Sequence, residues 1–307
     1  MNPSKSFRRF EPYRVKLNPE KLDLSWSFSR WRTYLDCPRK FFYSYILKDL
    51  IRGTLEYDML NELRRSKTLS MIHGTALNNA ISKLFKDNIP PNSSTILREY
   101  ERSMKCILND TKVVELVNGV LNRRELYSKL RILRERAEQA IEFFLESIYK
   151  SLLDMKVIET GQIEKVRYGE NEFFLAPDLL GYDKDGIWYV YDWKADATSE
   201  SLREPYEKEM GSYRFQIRAY AALAIRAYFR RFPKPQGFVG RLVFLHSQQV
   251  DEQIFSSEIL RGTVRELLRL ADELRSRISN SEFPRTPDPK RCKYCQFYSI
   301  CQTLEAV

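Results

Sequence analysis

The stretch Ala176–Asp196, APDLLGYDKDGIWYVYDWKAD, carries Asp178, Asp192 and Lys194 around a turn signal at Asp183–Gly186. Read as an antiparallel hairpin centred between Lys184 and Asp185, it sets Asp178 opposite or nearly opposite Asp192. Residues so paired hold their Cβ atoms roughly 5 Å apart when they share a face. Lys194 lies two positions beyond Asp192, on the same face of that strand. Two facing carboxylates repel unless a cation joins them. Oxygen ligands of this kind suit Mg²⁺ or Mn²⁺. A neighbouring lysine would orient a water or stabilise charge developing on a phosphate. The bland alternative is a solvated hairpin with scattered charges. The flanking Leu175, Ala176, Val190, Tyr191 and Trp193 argue for a more apolar setting.

A second constellation closes the chain. CKYCQFYSIC places Cys292, Cys295 and Cys301 within ten residues of a sequence that has only five cysteines. No apolar run approaches the ~18 residues of a membrane span. The basic N-terminus is followed by no apolar block, so a secretory signal is not expected. A cytoplasmic location follows, where thiols stay reduced and a cysteine cluster favours a metal or iron–sulfur site over disulfides. A zinc knuckle is the competing reading for these three alone. Cys106, in RSMKCILND, reads as a buried or indifferent helical cysteine.

The elements that must position these residues fall into a clear order. Residues 1–24 form a polar arm, and 25–55 an aromatic helical segment with Ser27 or Ser29 as N-cap. Pro38 kinks that segment or starts a second helix. Residues 56–160 read as a helical subdomain. Residues 161–283 read as an α/β core, with three strands over 161–196, a helix over 212–232, a strand over 237–247 and a helix over 257–279. Residues 284–307 form a Pro-rich, irregular cysteine segment. The net charge is +10, from 51 Lys and Arg against 41 Asp and Glu. That balance favours a polyanionic partner, most often nucleic acid.

Taken together, these residues resemble the PD-(D/E)XK nuclease superfamily. Asp178 matches its first acid, Asp192 its second and Lys194 its lysine. His73 in HGTALNNA, Gln216 and Tyr220 in QIRAY, and Cys37 in DCPRKFFY narrow the likeness. They point to RecB-type iron–sulfur nucleases, the group of the AddAB nuclease domain and the CRISPR-associated RecB-like exonucleases. The resemblance implies a restriction-endonuclease-like mixed sheet flanked by helices, with a helical insertion. It implies a 4Fe-4S cluster on Cys37, Cys292, Cys295 and Cys301 that joins the N- and C-terminal segments, with zinc as the alternative metal. It implies Mg²⁺ or Mn²⁺ held by His73, Asp178, Asp192 and the main-chain carbonyl of Trp193, with Gln216 and Tyr220 either supporting Lys194 or contacting the substrate.

From the residues alone, a core or cap histidine is the alternative reading of His73, ordinary helix-face residues that of Gln216 and Tyr220, and His246 reads as structural. Glu164 is a weak match to a further family acid, with Glu159 and Glu170 competing. The implied activity is a metal-dependent exonuclease on single-stranded DNA or overhangs, in CRISPR adaptation with an integrase complex or in DNA repair with a helicase. The alternative is a catalytically silent DNA-binding scaffold.

Overall fold

The computed structural model describes residues 25–87, 89–195 and 203–302, with positions 7, 17 and 22. The arm expected over 1–24 otherwise lies outside the described residues. The chain divides into two compact units. One comprises Met1–Leu69, Leu108–Leu126 and Arg269–Val307, the other Ser70–Ile107 and Tyr127–Leu268.

In the first unit, α1 (Phe28–Asp36) starts where expected. Ser27 is its N-cap and accepts the Arg30 N–H at 3.1 Å, satisfying a donor that the first helical turn leaves free. Pro38 opens α2 (Pro38–Phe41) from the N1 position, where its missing N–H costs nothing. Cys37 sits between the two helices in extended backbone, the conformation that a following proline imposes. A π-helical turn (Phe42–Ile46), α3 (Leu47–Leu50) and α4 (Leu55–Arg65) continue the segment.

The helical stretch supplies α5 (Leu69–Lys86), α6 (Ser93–Asp110), α7 (Val114–Val117), α8 (Arg123–Phe143), a π-helical turn (Phe144–Tyr149) and α9 (Lys150–Leu152). The sheet of the second unit then begins. β1 (Lys156–Glu159), β4 (Leu179–Tyr182), β5 (Ile187–Lys194), β6 (Gly237–Phe244) and β7 (Gln249–Phe255) form one mixed sheet in the order β1-β4-β5-β6-β7. The pairs are antiparallel except β5 with β6. β2 (Glu164–Tyr168) and β3 (Asn171–Leu175) make a separate hairpin.

Three strands were expected over 161–196 and four form. β1 and β7 were missed. β1 is a four-residue strand following a helix, too short to show a period, and β7, QVDEQIF, is an edge strand with charged outward positions. Edge strands carry such charges because one side of their backbone has no partner.

The parallel step from β5 to β6 needs a crossover, and α10 (Arg203–Tyr228) provides it. β6 has glycine at 240, where a Cβ would come within 2.7 Å of the Phe255 ring and 3.0 Å of Ile217. Its absence lets α10 lie close on the strand. α11 (Ser257–Ser279) matches its expected span and buries Leu260, Leu267, Leu270, Leu274 and Ile278 at helical spacing. The tail is less irregular than expected, with α12 (Pro289–Cys292) and α13 (Tyr298–Gln302). Among the described residues, no helix is long and apolar enough to cross a membrane.

Candidate active site

The hairpin of β4 and β5 closes through Asp183, whose N–H donates to Ile187 O at 3.1 Å, and Gly186 takes the positive φ of 76° that the turn requires. Leu179 pairs with Tyr191, and the Asp178 N–H donates to Tyr191 O at 3.1 Å. Asp178 thus stands just past the end of the β4–β5 ladder, near enough to Asp192 for that carboxylate's charge to act on it. Both are buried, with 8% and 4% of their surface exposed.

Asp178 is fixed at both oxygens. Oδ1 accepts from Asn78 Nδ2 at 2.6 Å, and Oδ2 accepts from the Trp193 N–H at 2.7 Å. Burial first, and then the Asp192 charge, push the Asp178 carboxyl up to about 7. Lys194, the Trp193 N–H and Asn78 offset this only in part.

Lys194 Nζ lies 2.5 Å from Asp192 Oδ2, which otherwise has no hydrogen-bond partner. Nζ also donates to Gln216 Oε1 at 3.1 Å and sits 4.7 Å from the centre of the Tyr213 ring. Burial works against the Lys194 charge, but the two carboxylates outweigh it and raise its pKa. Gln216 Nε2 donates to Tyr220 Oη at 2.9 Å, so α10 backs the lysine with a two-residue chain one turn long. Burial raises the Tyr220 phenol, with Asp192 adding to it, so the hydroxyl that accepts from Gln216 stays neutral.

His73 is 3% exposed on α5. Its Nδ1 lies 2.8 Å from Tyr100 Oη, and its Nε2 lies 2.7 Å from His246 Nε2, with the two imidazoles stacked at 11°. His246 follows β6 directly, where the Leu245 N–H donates to Lys194 O at 2.9 Å. The bland reading of His246 thus misses a contact with the candidate ligand. Burial, then His246 and Arg136, lower the His73 pKa to about 3, which keeps the ring neutral. Asn78, Tyr213, Tyr100 and His246 carried no motif signal. Asn78 lies inside the quoted HGTALNNA, but only tertiary structure shows what it touches.

Glu164 stands apart, in the β2–β3 hairpin, where Arg231 Nη2 donates to it at 2.8 Å. Glu159 ends β1 and accepts the Thr160 N–H at 2.8 Å. Among the described residues, no hydrogen bond or ion pair joins Glu159 or Glu164 to the two aspartates.

The cysteines gather in the first unit. Cys295 feels the charge of Cys37 and Cys292, and Cys301 that of Cys295 and Cys37. Burial raises Cys295 and pushes Cys301 up to about 11, while Lys40 opposes the first shift and Arg285 and Arg39 the second. Backbone N–H groups of Asp288 and Phe297 donate to Cys292 and Cys295 sulfur. Asn118 Nδ2 donates to the carbonyls of Lys293 and Cys295. Four neighbouring thiols, N–H···S bonds and nearby cations suit a thiolate-ligated centre. Cys106 is exposed on α6 rather than buried. Among the described residues, no three His, Cys, Asp or Glu already stand in a metal-holding group, at either place.

No curated protein matches the chain. Among solved structures, one from Eubacterium rectale described as a "Putative exonuclease" aligns at 11% identity and TM-score 0.45, over 91% of this chain and 87% of that one. SSO0001 aligns at 16% identity and TM-score 0.28, over 58% of this chain and 75% of that one. The family model of the PD-(D/E)XK nuclease superfamily matches residues 25–302. That span runs from the residues capping α1, through the paired aspartates, to the last clustered cysteine, so the chain as a whole belongs to the PD-(D/E)XK nuclease superfamily.

Proposed function

We propose that the protein is a metal-dependent deoxyribonuclease acting on single-stranded DNA or overhangs from an end. The observation that carries this reading is the buried pair Asp178 and Asp192 with Lys194 in ionic contact. Two adjacent carboxylates out of water, one of them pushed toward neutrality, form a site that a divalent cation would relieve. Asp192 Oδ2, which among the described residues has Lys194 beside it and no hydrogen bond, is an atom such an ion would satisfy.

Asp178, Asp192, His73 and the Trp193 carbonyl would hold Mg²⁺ or Mn²⁺. When bound, the ion would polarise the scissile phosphate and lower the pKa of a coordinated water. Asn78 and the Trp193 N–H hold the Asp178 carboxylate in one orientation. Lys194, kept charged by the carboxylates, places a cation where negative charge grows on the phosphate. Gln216 and Tyr220 restrict its ammonium from behind, and the Tyr213 ring restricts it from one side. His73 must exchange its His246 contact for the ion.

The cysteine group would carry a 4Fe-4S cluster in a structural role, with zinc as the alternative. The +10 charge suits a DNA partner. CRISPR adaptation alongside an integrase complex, or end processing in repair with a helicase, are the two settings that fit. The DNA-binding scaffold stands as the second reading, because the +10 charge favours holding DNA whether or not it is cut.

The test is hydrolysis of end-labelled single- and double-stranded DNA by protein purified without oxygen, with Mn²⁺ or Mg²⁺. Lys194→Ala should lose at least about 10²-fold in rate while still binding DNA, and a chelator should silence the wild type. Wild type that binds DNA yet is as silent as Lys194→Ala would move the scaffold reading ahead.

A further inference from the structure

The β2–β3 hairpin stands outside the main sheet and supplies nothing to the carboxylate site. It meets α10 at that helix's C-terminal end. Arg231, just past the helix, donates through Nη2 to Glu164 Oε1 at 2.8 Å, and the Arg226 guanidinium lies 5.7 Å from the centre of the Tyr168 ring. Helical hydrogen bonding runs on beyond Tyr228. The Phe229 N–H donates to Ile225 O at 3.0 Å, and the Phe232 N–H donates to Tyr228 O at 3.2 Å. Arg226, Phe229 and Arg230 therefore share one face, at spacings of three and four. All three are exposed, Phe229 by 44%.

Two hairpin acids are engaged with other cations. Glu164 holds Arg231, and Glu172 holds Lys165 at 3.0 Å and Arg167 at 3.4 Å. Among the described residues, neither Arg226 nor Arg230 has a hydrogen bond or an ion pair. Each instead lies over a ring, Arg230 at 5.4 Å from the centre of Phe229. A cation in the last turn suits the negative end of a helix dipole, and Arg226 meets that need. The dipole calls for no large apolar ring left in water beside it. Guanidinium groups alternating with ring faces match a polyanion whose bases are unstacked, with phosphates for the cations and bases for the rings. A duplex offers the phosphates but keeps its bases stacked.

We propose that Tyr168, Arg226, Phe229 and Arg230 form a binding strip for single-stranded DNA, separate from the carboxylate site. The identity of the partner as DNA rests on the nuclease reading, but the test requires no cleavage. α10 joins the two places. Gln216 on that helix backs Lys194, and Arg226 follows ten residues later, about 15 Å along the axis. That distance is a few nucleotides of strand. The strip would hold the strand to one side while the carboxylate site acts on it.

The experiment measures binding of a fluorescent oligothymidine in EDTA, across a salt series. Replacing both arginines, Arg226→Ala with Arg230→Ala, should weaken binding at least about ten-fold. It should also lower the salt slope by about 1.4, the share of two phosphate contacts on a single strand. Phe229→Ala should weaken binding about ten-fold with the slope unchanged, and Phe229→Trp should restore it. An abasic strand of the same length should bind wild type and Phe229→Ala alike. Arg226→Gln with Arg230→Gln retains the side-chain stems and replaces the alanine pair if that one fails to fold.

Wild-type affinity and slope in the folded double variant would overturn the strip, even if the wild type cuts DNA. So would a Phe229→Ala loss of the same size on the abasic strand, since no base is there to stack. Weakened binding in variants of a wild type that cuts nothing would leave the strip standing and remove the catalytic reading. A wild type that neither binds nor cuts overturns both.

Discussion

At the residue scale, Asp178 sets a pH dependence whose direction follows from its surroundings. Its native pKa is raised, from 3.8 to about 7, by burial and by Asp192. The native state therefore keeps a proton that the unfolded chain has released. The associated stability is intact below about 3.8 and is lost as pH rises toward about 7. His73 slopes the other way. Its native pKa is lowered from 6.5 to about 3, so its contribution is present above 6.5 and is lost as pH falls toward 3. Between pH 5 and pH 8 the Tm of metal-free wild type should thus fall by a few degrees relative to that of Asp178→Asn, in which the opposite His73 slope acts alone. Mn²⁺ at pH 8 should restore the wild type, because an ion bound only by the folded state stabilises it. Identical Tm profiles for wild type and Asp178→Asn would show that the carboxyl pair is not strained. The lysine relay gives a second expectation at this scale. Tyr220→Phe removes the acceptor of Gln216 Nε2, and hydrolysis should slow by about ten-fold with DNA affinity unchanged. A fall in affinity instead would place Tyr220 on the substrate.

At the element scale, α10 positions this relay only because β6 lets it approach. Gly240→Ala would push a methyl group into Phe255 and Ile217. Overpacking of that kind costs about 1–3 kcal/mol. Ile217 neighbours Gln216, so a displaced helix should also loosen the Lys194 contact. Denaturant unfolding and turnover should therefore fall together in this variant, and unchanged turnover would mean that the relay tolerates the shift. The same contrast explains what could be read from the sequence. The β4–β5 hairpin was legible because its register is local, with a turn of four residues fixing what stands opposite what. Gln216 and Tyr220 were legible because helical spacing alone puts them on one face. His246 against His73 and Asn78 on Asp178 were not. Each joins segments distant in sequence, and nothing in the local pattern of either partner marks the meeting. β1 and β7 escaped for the opposite reason, since their pairing rests on neighbours and hardly on their own residues.

At the scale of the whole molecule, each unit holds one candidate centre, the carboxylates in one and the thiols in the other. The thiol unit has a second fastening. Tyr34 Oη donates to Glu282 O at 2.9 Å, Arg39 Nε donates to Phe283 O at 2.9 Å, and the Arg39 N–H donates to Pro284 O at 3.2 Å. Phe41 stacks on Phe283, and Phe42 meets the same ring at a tilt of 47°. The N- and C-terminal parts are thus joined by buried hydrogen bonds and rings that need no metal. Cys301→Ser should strip the iron or zinc, seen as lost colour or metal content, yet keep its helical circular dichroism and its Mn²⁺ binding at the carboxylates. Arg39→Ala would leave a buried carbonyl unpaired and should cost about 1–3 kcal/mol with the thiols intact. Near-equal Tm losses that add in the double variant would show two independent fastenings. Unfolding of Cys301→Ser alone would make the metal centre the indispensable staple, because closing so long a stretch of chain removes much of the unfolded state's freedom. The Tyr34 and Arg39 contacts would then form only after the metal has brought the two ends together.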